Sequence, residues 1–395
     1  MNSIDLATSV GDYVSGIRHI LHQNPELSFH EVQTTALIAK ELVSFGLDVT
    51  TWNDFTGAIG LLTGSGVGPT IALRADIDAL PIQEESGSQY SSKKPGVMHA
   101  CAHDAHTAIL LGVAKLLSQE RDQIKGNVKF IFQPAEETPP GGAITLIEKG
   151  VLDNPRVDAL FALHHTTEYK AGQIGIRYGQ FLAAADQFTL TIKCQGGAGH
   201  SPHKGVDGIP IAAEIILALH VMMTRRIDPV KNALISFGTI NGGSKFNILA
   251  DKVVMTGTCR SLDPEISERF PDMILQVARG IANIYSADAA LDYQKGYPAL
   301  VNNDKTTSIL EKAAKQVIGA DNVYSGTPLM AGDDLAYFLQ KVPGCYFGLG
   351  INPEKGLIAP AHSAKFDIDE TALPVGVAVM YAATHKALEE IECKS

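Results

Sequence analysis

The chain has 395 residues, 45% hydrophobic and 19% charged, with a formal net charge of −11. That profile is ordinary for a soluble globular protein, and the length is enough for two domains, each with its own core. The acidic balance excludes nucleic acid and anionic membrane surfaces as expected partners, while small anionic substrates stay open because a local metal and a few Arg or Lys outweigh the global field.

The N-terminus, Met1-Asn-Ser-Ile-Asp-Leu6, has neither a basic n-region nor an apolar h-region, so no signal peptide is expected. Residues 6–23 predict a helix with an apolar stripe at Ile17, Ile20 and Leu21. His22-Gln-Asn-Pro-Glu-Leu27 breaks it, and Val32 to Phe45 reads as a second helix ended by Gly46. Ala58-Ile-Gly-Leu-Leu62 and Thr70-Ile-Ala-Leu-Arg74 read as strands around the glycine-rich turn Gly64-Ser-Gly-Val-Gly-Pro69. Helical spacing over Ala105 to Leu117 puts the preceding histidine-rich segment at a helix entrance. Val128-Lys-Phe-Ile-Phe132 is a strand, Gly141 to Lys149 a helix, and Ala159-Leu-Phe-Ala-Leu163 a strand ending at His164-His165. Strands alternating with helices predict an α/β domain of three layers with a mostly parallel sheet, whose ligands gather at the C-terminal strand ends.

The middle of the chain has a different pattern. Thr189-Leu-Thr-Ile-Lys193, Leu234-Ile-Ser-Phe-Gly238 and Lys252-Val-Val-Met-Thr-Gly-Thr258 alternate as half-buried strands do, with helical stretches at about 207–225 and 264–284. This predicts an α+β sandwich inserted in the first domain: residues 1–180 and 294–395 form the catalytic domain, and 181–293 the insert. The α/β pattern resumes with a helix near 304–318, the strand Tyr346-Phe-Gly-Leu-Gly350 and a last helix from about 370. No apolar run reaches the roughly 18 residues of a membrane span; Ile209 to Met223 comes nearest and is interrupted by Glu214 and His220. The five cysteines, at 101, 194, 259, 345 and 393, are scattered and odd in number, which predicts reduced thiols in a cytoplasmic protein.

Chemistry concentrates in Met98-His-Ala-Cys-Ala-His-Asp-Ala-His106 and in Gln133-Pro-Ala-Glu-Glu137. Thiol, imidazole and carboxylate donors packed this densely suit a transition metal better than Mg²⁺ or Ca²⁺. Adjacent glutamates leave the backbone in different directions, so one can ligate while the other handles a proton. A Cys/His nucleophilic dyad is the competing reading of Cys101 and His103, but it leaves the glutamates without a task. Only one of His164 and His165 can point into a site from a strand. Asp76 and Asp78 share a strand face at i, i+2 and could orient ligand imidazoles, or simply be solvated turn carboxylates. His362, in Pro360-Ala-His-Ser363, is a weak signal by itself.

Together these motifs resemble the bacterial and plant metallo-amidohydrolases that include hippurate hydrolases, N-acyl-amino-acid deacylases, indole-acetyl amino-acid hydrolases and aminobenzoyl-glutamate hydrolase. The resemblance runs in order through Arg18-His-Ile-Leu-His-Gln-Asn-Pro-Glu-Leu-Ser-Phe29, Leu73 to Pro81, Met98 to His106, Gln133 to Glu137 with Gly141-Gly142, Leu163-His164, and Ala359-Pro-Ala-His-Ser363. It implies a zinc-exopeptidase-like catalytic domain with a lid insert that also serves dimerisation. It implies two divalent ions, Zn²⁺, Mn²⁺, Co²⁺ or Ni²⁺, with ligands Cys101, His103, Glu137, His164 and His362. Cys101 would bridge, His103 and His164 would hold one ion, Glu137 and His362 the other, and Glu136 would be the general base. Asn247 and Arg260 match the lid's substrate-binding positions.

Two departures stand out. The family's Cys-Gly-His becomes Cys101-Ala102-His103, which is harmless unless that backbone needs a positive φ. In Gly196-Gly-Ala-Gly-His-Ser-Pro-His203, Ala198 takes the place of the lid histidine, leaving His200, or else His203, to serve as the oxyanion-stabilising imidazole. The expected activity is metal-dependent hydrolysis of the amide bond of a small N-acyl amino acid, by a homodimer or higher homo-oligomer. Alternatives are a dipeptidase or carboxypeptidase on the same scaffold, or a catalytically silent metal-binding homologue.

Overall fold

A computed structural model describes residues 2–356 and 358–392. Met1 and Cys393, both used in the sequence reading, lie outside the described residues. The chain divides into two compact units. The first comprises Met1–Gly179, Val301–Thr327 and Tyr337–Ser395; the second comprises Gln180–Leu300 and Pro328–Ala336.

The first unit is built on an eight-stranded sheet. Its order is Asp48–Thr50, Ala58–Thr63, Lys125–Gln133, Gly66–Asp76, Ala159–Lys170, Gly344–Asn352, Ile174–Ile176 and Val323–Ser325. The four strands from Lys125–Gln133 to Gly344–Asn352 run parallel, with antiparallel pairings on either side of them. The strands flanking the glycine-rich turn are not hydrogen-bonded partners, because Lys125–Gln133 lies between them. Central strands of this kind are buried on both faces, and all nine residues of Gly344–Asn352 are buried. In Lys125–Gln133 the two faces are distinct. Val128, Phe130 and Phe132 join the core cluster that includes the helices His103–Gln119 and Ala372–Glu390. Lys129 points the other way, past the helix Gly142–Glu148, and donates to the carbonyls of Val151, Asp153 and Pro155 at 2.9, 2.7 and 2.9 Å.

Local signals account for most boundaries. Asn303 caps the helix Asp304–Ile318 through Lys305 and Thr306, and Gly319 follows at φ 79. The helix expected over 6–23 is two, Ser3–Ser9 and Gly11–Gln23, separated at Val10. The strand expected to end at His164-His165 runs to Lys170 because Gly344–Asn352 continues beside it.

The second unit is a four-stranded antiparallel sheet in the order Ala233–Gly242, Lys252–Ser261, Ala184–Lys193, Asp288–Tyr297. The strand Ala184–Lys193 alternates strictly, burying Asp186, Phe188, Leu190 and Ile192. Phe188, Leu190 and Ile192 form a core with the helices Gly208–Arg226 and Pro264–Ile284. Asp263 caps the second of these, with Pro264 at its first position. By length and mean hydropathy, 1.4, Gly208–Arg226 is the one helix among the described residues that could cross a membrane. A third of that stretch is buried, however, and Ile211, Ala212, Ile215, Leu219 and Met222 pack into this core. Cys101, Cys194, Cys259 and Cys345 are free thiols.

Candidate metal centre

The chemistry of the first unit converges where its parallel strands end. Asp76 and Gln133 are the last residues of neighbouring strands, and Gln133 leads straight into Glu136 and Glu137. His164 lies two residues past Ala162, the last position paired with Gly66–Asp76. His103 opens the helix His103–Gln119. Three non-glycine residues in this neighbourhood have left-handed backbones: Ala102 at φ 53, Ala135 at φ 57 and His362 at φ 62. Such strain collects where surrounding structure over-determines a site. Position 102 therefore does need a positive φ, so alanine is not free there.

Six side chains named from the sequence meet. Cys101, Glu137 and His362 offer ligand atoms within 4.8 Å of one another, and so do His103, Glu136 and Glu137. Cys101 Sγ is 3.6 Å from His164 Nε2, His362 Nε2 is 3.1 Å from Glu137 Oε1, and His103 Nε2 is 4.0 Å from that same oxygen.

The imidazoles are preset for ligation. His103 Nδ1 donates to the carbonyl of Asp78 at 2.9 Å, with Asp78 Oδ1 at 3.2 Å, which leaves Nε2 as the nitrogen facing the cluster. His164 Nδ1 donates to the carbonyl of His165 at 2.9 Å, which turns its Nε2 lone pair toward Cys101. A second hydrogen bond that fixes tautomer and ring orientation is what metal-binding histidines use. His103 Nε2 is buried without a hydrogen-bond partner, and Glu137 Oε1 meets no donor nearer than the half-exposed His362 ring. Unsatisfied polar atoms of this kind are costly unless something else meets them. A divalent transition ion does so, and the thiol, imidazole and carboxylate donors have the right chemistry for one.

Asp78 organises the glutamate turn. Its Oδ1 accepts the backbone N–H of Glu136 at 3.1 Å, and its Oδ2 accepts those of Glu137 at 3.0 Å and the hydroxyl of Ser28 at 2.7 Å. Glu31 takes the N–H of Ala135 at 2.8 Å and the Thr56 hydroxyl at 2.6 Å, and burial pushes its carboxyl up to about 7. Asp76 accepts from Arg74 at 2.6 Å. Burial alone would raise Asp76, but His103, Arg74 and His106 hold it well below the usual carboxylate range. Burial would lower His103, and Asp76 and Asp78 instead carry it well above an ordinary imidazole. His164 is pushed down to about 3 by burial and by His106, so it is neutral at physiological pH.

His106 joins the site without being among the residues that the resemblance assigns. Its Nδ1 lies 2.6 Å from Asp76 Oδ1, and its Nε2 accepts the N–H of His165 at 3.0 Å. The available signal was its spacing, three residues after His103 on the same helix face. His165, which stacks on His164 with ring centroids 4.4 Å apart, is buried beside the site.

The other expected site residues belong to the second unit. The short strand Gly197–Ala198 pairs with Ile248–Leu249, and Gly199 N–H donates to the carbonyl of Asn247 at 2.8 Å. Asn247 and His200 thus lie beside one exposed two-stranded ribbon, with His203 in the turn Pro202–Lys204 that follows. Arg260 lies on the sheet face away from the helices, its Nη1 donating to Thr258 Oγ1 at 2.9 Å. There it lines a cavity of about 600 Å³ together with Gln187, Thr189, Ser236, Thr258 and Gln294.

The model of peptidase family M20/M25/M40 matches residues 72–386. Thermostable carboxypeptidase 2 of Saccharolobus solfataricus is 40% identical over 371 residues, 93% of either chain. N-acetyl-L-cysteine deacetylase of Bacillus subtilis is 38% identical over 391 residues, 99% of this chain and 92% of the relative. Among solved structures, the YXEP protein of Bacillus subtilis, described as a dinuclear metal binding peptidase from M20 family, is similar with a TM-score of 0.85 at 34% identity. That likeness covers 97% of this chain and 100% of the other.

Proposed function

This chain belongs to peptidase family M20/M25/M40 and is a two-metal amidohydrolase, and from that premise we propose that it removes the acyl group from small N-acyl amino acids. The observation that carries the reading is the grouping of His103, Glu136 and Glu137 within 4.8 Å, a proton-handling carboxylate beside a ligating one. Similarity along nearly the whole chain to N-acetyl-L-cysteine deacetylase supports the substrate class.

Cys101, His103 and His164 would hold one ion, and Cys101, Glu137 and His362 the other, with Zn²⁺ or Mn²⁺ the leading candidates. When bound, such ions lower the pKa of water and polarise the amide carbonyl. Glu136 takes the proton of the attacking water and returns it to the leaving amine nitrogen. Asp78 keeps Glu136 and Glu137 apart in role by holding both backbone N–H groups. In the second unit, which we read as the lid and dimerisation surface, Arg260 suits the substrate carboxylate through its bidentate fork. Asn247 would assist it, and His200 would supply the imidazole that a developing oxyanion needs.

A second reading, carboxypeptidase action on peptides, is favoured by the 40% identity to thermostable carboxypeptidase 2. The two separate in one assay. Acetyl-, benzoyl- and indole-acetyl amino acids and a set of dipeptides are compared by kcat/KM on metal-reconstituted protein. Acyl amino acids turned over at least about tenfold faster support deacylation; preference for dipeptides overturns it. Glu136→Gln should keep its metal and lose about 10²- to 10⁴-fold in kcat.

A further inference from the structure

His362 is held in place by little of its own. Its side chain is 52% exposed and its backbone is left-handed, so neither packing nor a relaxed conformation fixes it. Its own backbone tie is the bond from its N–H to the carbonyl of Ala100 at 2.8 Å, and that of Glu85 to the carbonyl of Ala364 lies two residues on. The segment that follows it is instead clamped by Arg18, a residue only 1% exposed on the helix Gly11–Gln23.

Arg18 spends its whole guanidinium on this junction. Nε donates to Asp104 Oδ2 at 3.1 Å, Nη2 to Asp367 Oδ1 at 2.6 Å, and Nη1 to Glu370 Oε1 at 2.6 Å and the Tyr90 hydroxyl at 3.1 Å. Asp104 directly follows His103, while Asp367 and Glu370 lie downstream of His362. One buried cation therefore joins the Cys101–His103 turn to the His362 loop, and offsets part of the repulsion among three carboxylates that meet across that junction. His103 and His164 have separate anchors in Asp78 and in the carbonyl of His165.

We propose that Arg18 is a positioning residue for one of the two ions: it fixes the His362 loop against the Cys101–His103 turn, so the ion held through Glu137 and His362 depends on it and the ion on His103 and His164 does not. This rests on the ligand assignment given under the proposed function. None of the groups that Arg18 contacts is itself a ligand, so its influence runs entirely through backbone placement.

The test is metal content of the full-length protein, loaded with Zn²⁺ and dialysed against a graded series of chelator strengths. Wild type should release two ions. Arg18→Gln should hold one ion at wild-type affinity and bind the other about 10- to 100-fold more weakly, the range typical for lost support of a ligand. Arg18→Lys keeps the charge without the fork and should recover part of that loss. Asp367→Asn removes one arm without stranding a buried charge, so it decides the matter if Arg18→Gln fails to fold, and should show the same split at smaller amplitude. The weakened step should also show as kcat restored by excess Zn²⁺ with KM unchanged. Two ions lost in parallel, or two retained, would overturn the proposal. Wild type releasing only one ion would instead overturn the ligand assignment, and the role of Arg18 with it.

Discussion

His106 donates its Nδ1 proton to Asp76 Oδ1 across 2.6 Å. The direction follows from its other nitrogen, which accepts the N–H of His165 at 3.0 Å. One ring thus spans from a strand-end carboxylate to the backbone beside His164. Replacing it by leucine leaves the His165 N–H and one Asp76 oxygen short of a partner in a buried setting. We expect His106→Leu to destabilise the fold by about 3 kcal/mol and to weaken metal binding about 10- to 100-fold. Urea unfolding and a chelator competition check the two effects. Metal affinity equal to wild type would mean that the ring supports the sheet alone.

Ala102 offers a test of stored strain. Its φ of 53 costs an L-residue about 1–2 kcal/mol, while glycine costs up to about 1 kcal/mol more in the unfolded chain. Ala102→Gly should therefore fall within about 1 kcal/mol of wild type, on the stable side, with unchanged turnover. Ala102→Val, β-branched at the same φ, should lose about 2 kcal/mol or more and release metal readily. Thermal melts at fixed free Zn²⁺ distinguish them; a Val variant as stable as wild type would show that the turn is not constrained.

What the sequence disclosed and what it concealed divide along sequence distance. Cys101, His103, Glu136 and Glu137 announce themselves because dense donors in short segments are rare. The helices Asp304–Ile318 and Pro264–Ile284 carry their caps, Asn303 and Asp263, in the sequence. The strand Asp288–Tyr297 gives little signal because one of its faces is exposed and carries Asp288, Asp292 and Gln294, which dilutes the apolar alternation. No local pattern could place Lys125–Gln133 between the two strands that precede it, since strand order is settled by packing across the whole sheet. The Arg18 clamp reaches partners at positions 104, 367 and 370. A lone arginine in an amphipathic helix gives no hint of such contacts.

The pair His22–Asp104 sets an alkaline limit on stability. Burial would lower the His22 imidazole, but Asp104 at 2.8 Å and Glu84 raise it to about 9. A folded-state value above the ordinary 6.5 means that the contribution is complete below about 6.5 and is lost as pH rises through about 9. Asp104, held far below the usual carboxylate range by Arg18 and His22 despite burial, has the opposite sign: its contribution is present above about 4 and lost only in strong acid. The unfolding free energy should therefore drop by up to about 3 kcal/mol between pH 7 and 9.5 at constant free metal. His22→Gln should start less stable at pH 7 and show a flatter profile over that interval. An equally steep decline in the variant would place the alkaline transition elsewhere.

Cys101 decides which cations the site accepts. A thiolate favours Zn²⁺ and its soft or borderline neighbours, whereas Mg²⁺ and Ca²⁺ prefer oxygen. Chelation should lower the melting temperature, because it leaves His103 Nε2 buried without a partner and the nearby carboxylates uncompensated. Returning Zn²⁺ should restore it, each tenfold excess over Kd adding about 1.4 kcal/mol, while Mg²⁺ at the same concentration should add little. Cys101→Asp exchanges the sulfur for oxygen donors of similar reach. It should shift preference toward Mn²⁺ by at least about tenfold relative to Zn²⁺, read by competition between the two ions on the purified protein. Unchanged selectivity would show that Cys101 does not touch either ion, and would leave His103, His164, Glu137 and His362 to bind them without a sulfur.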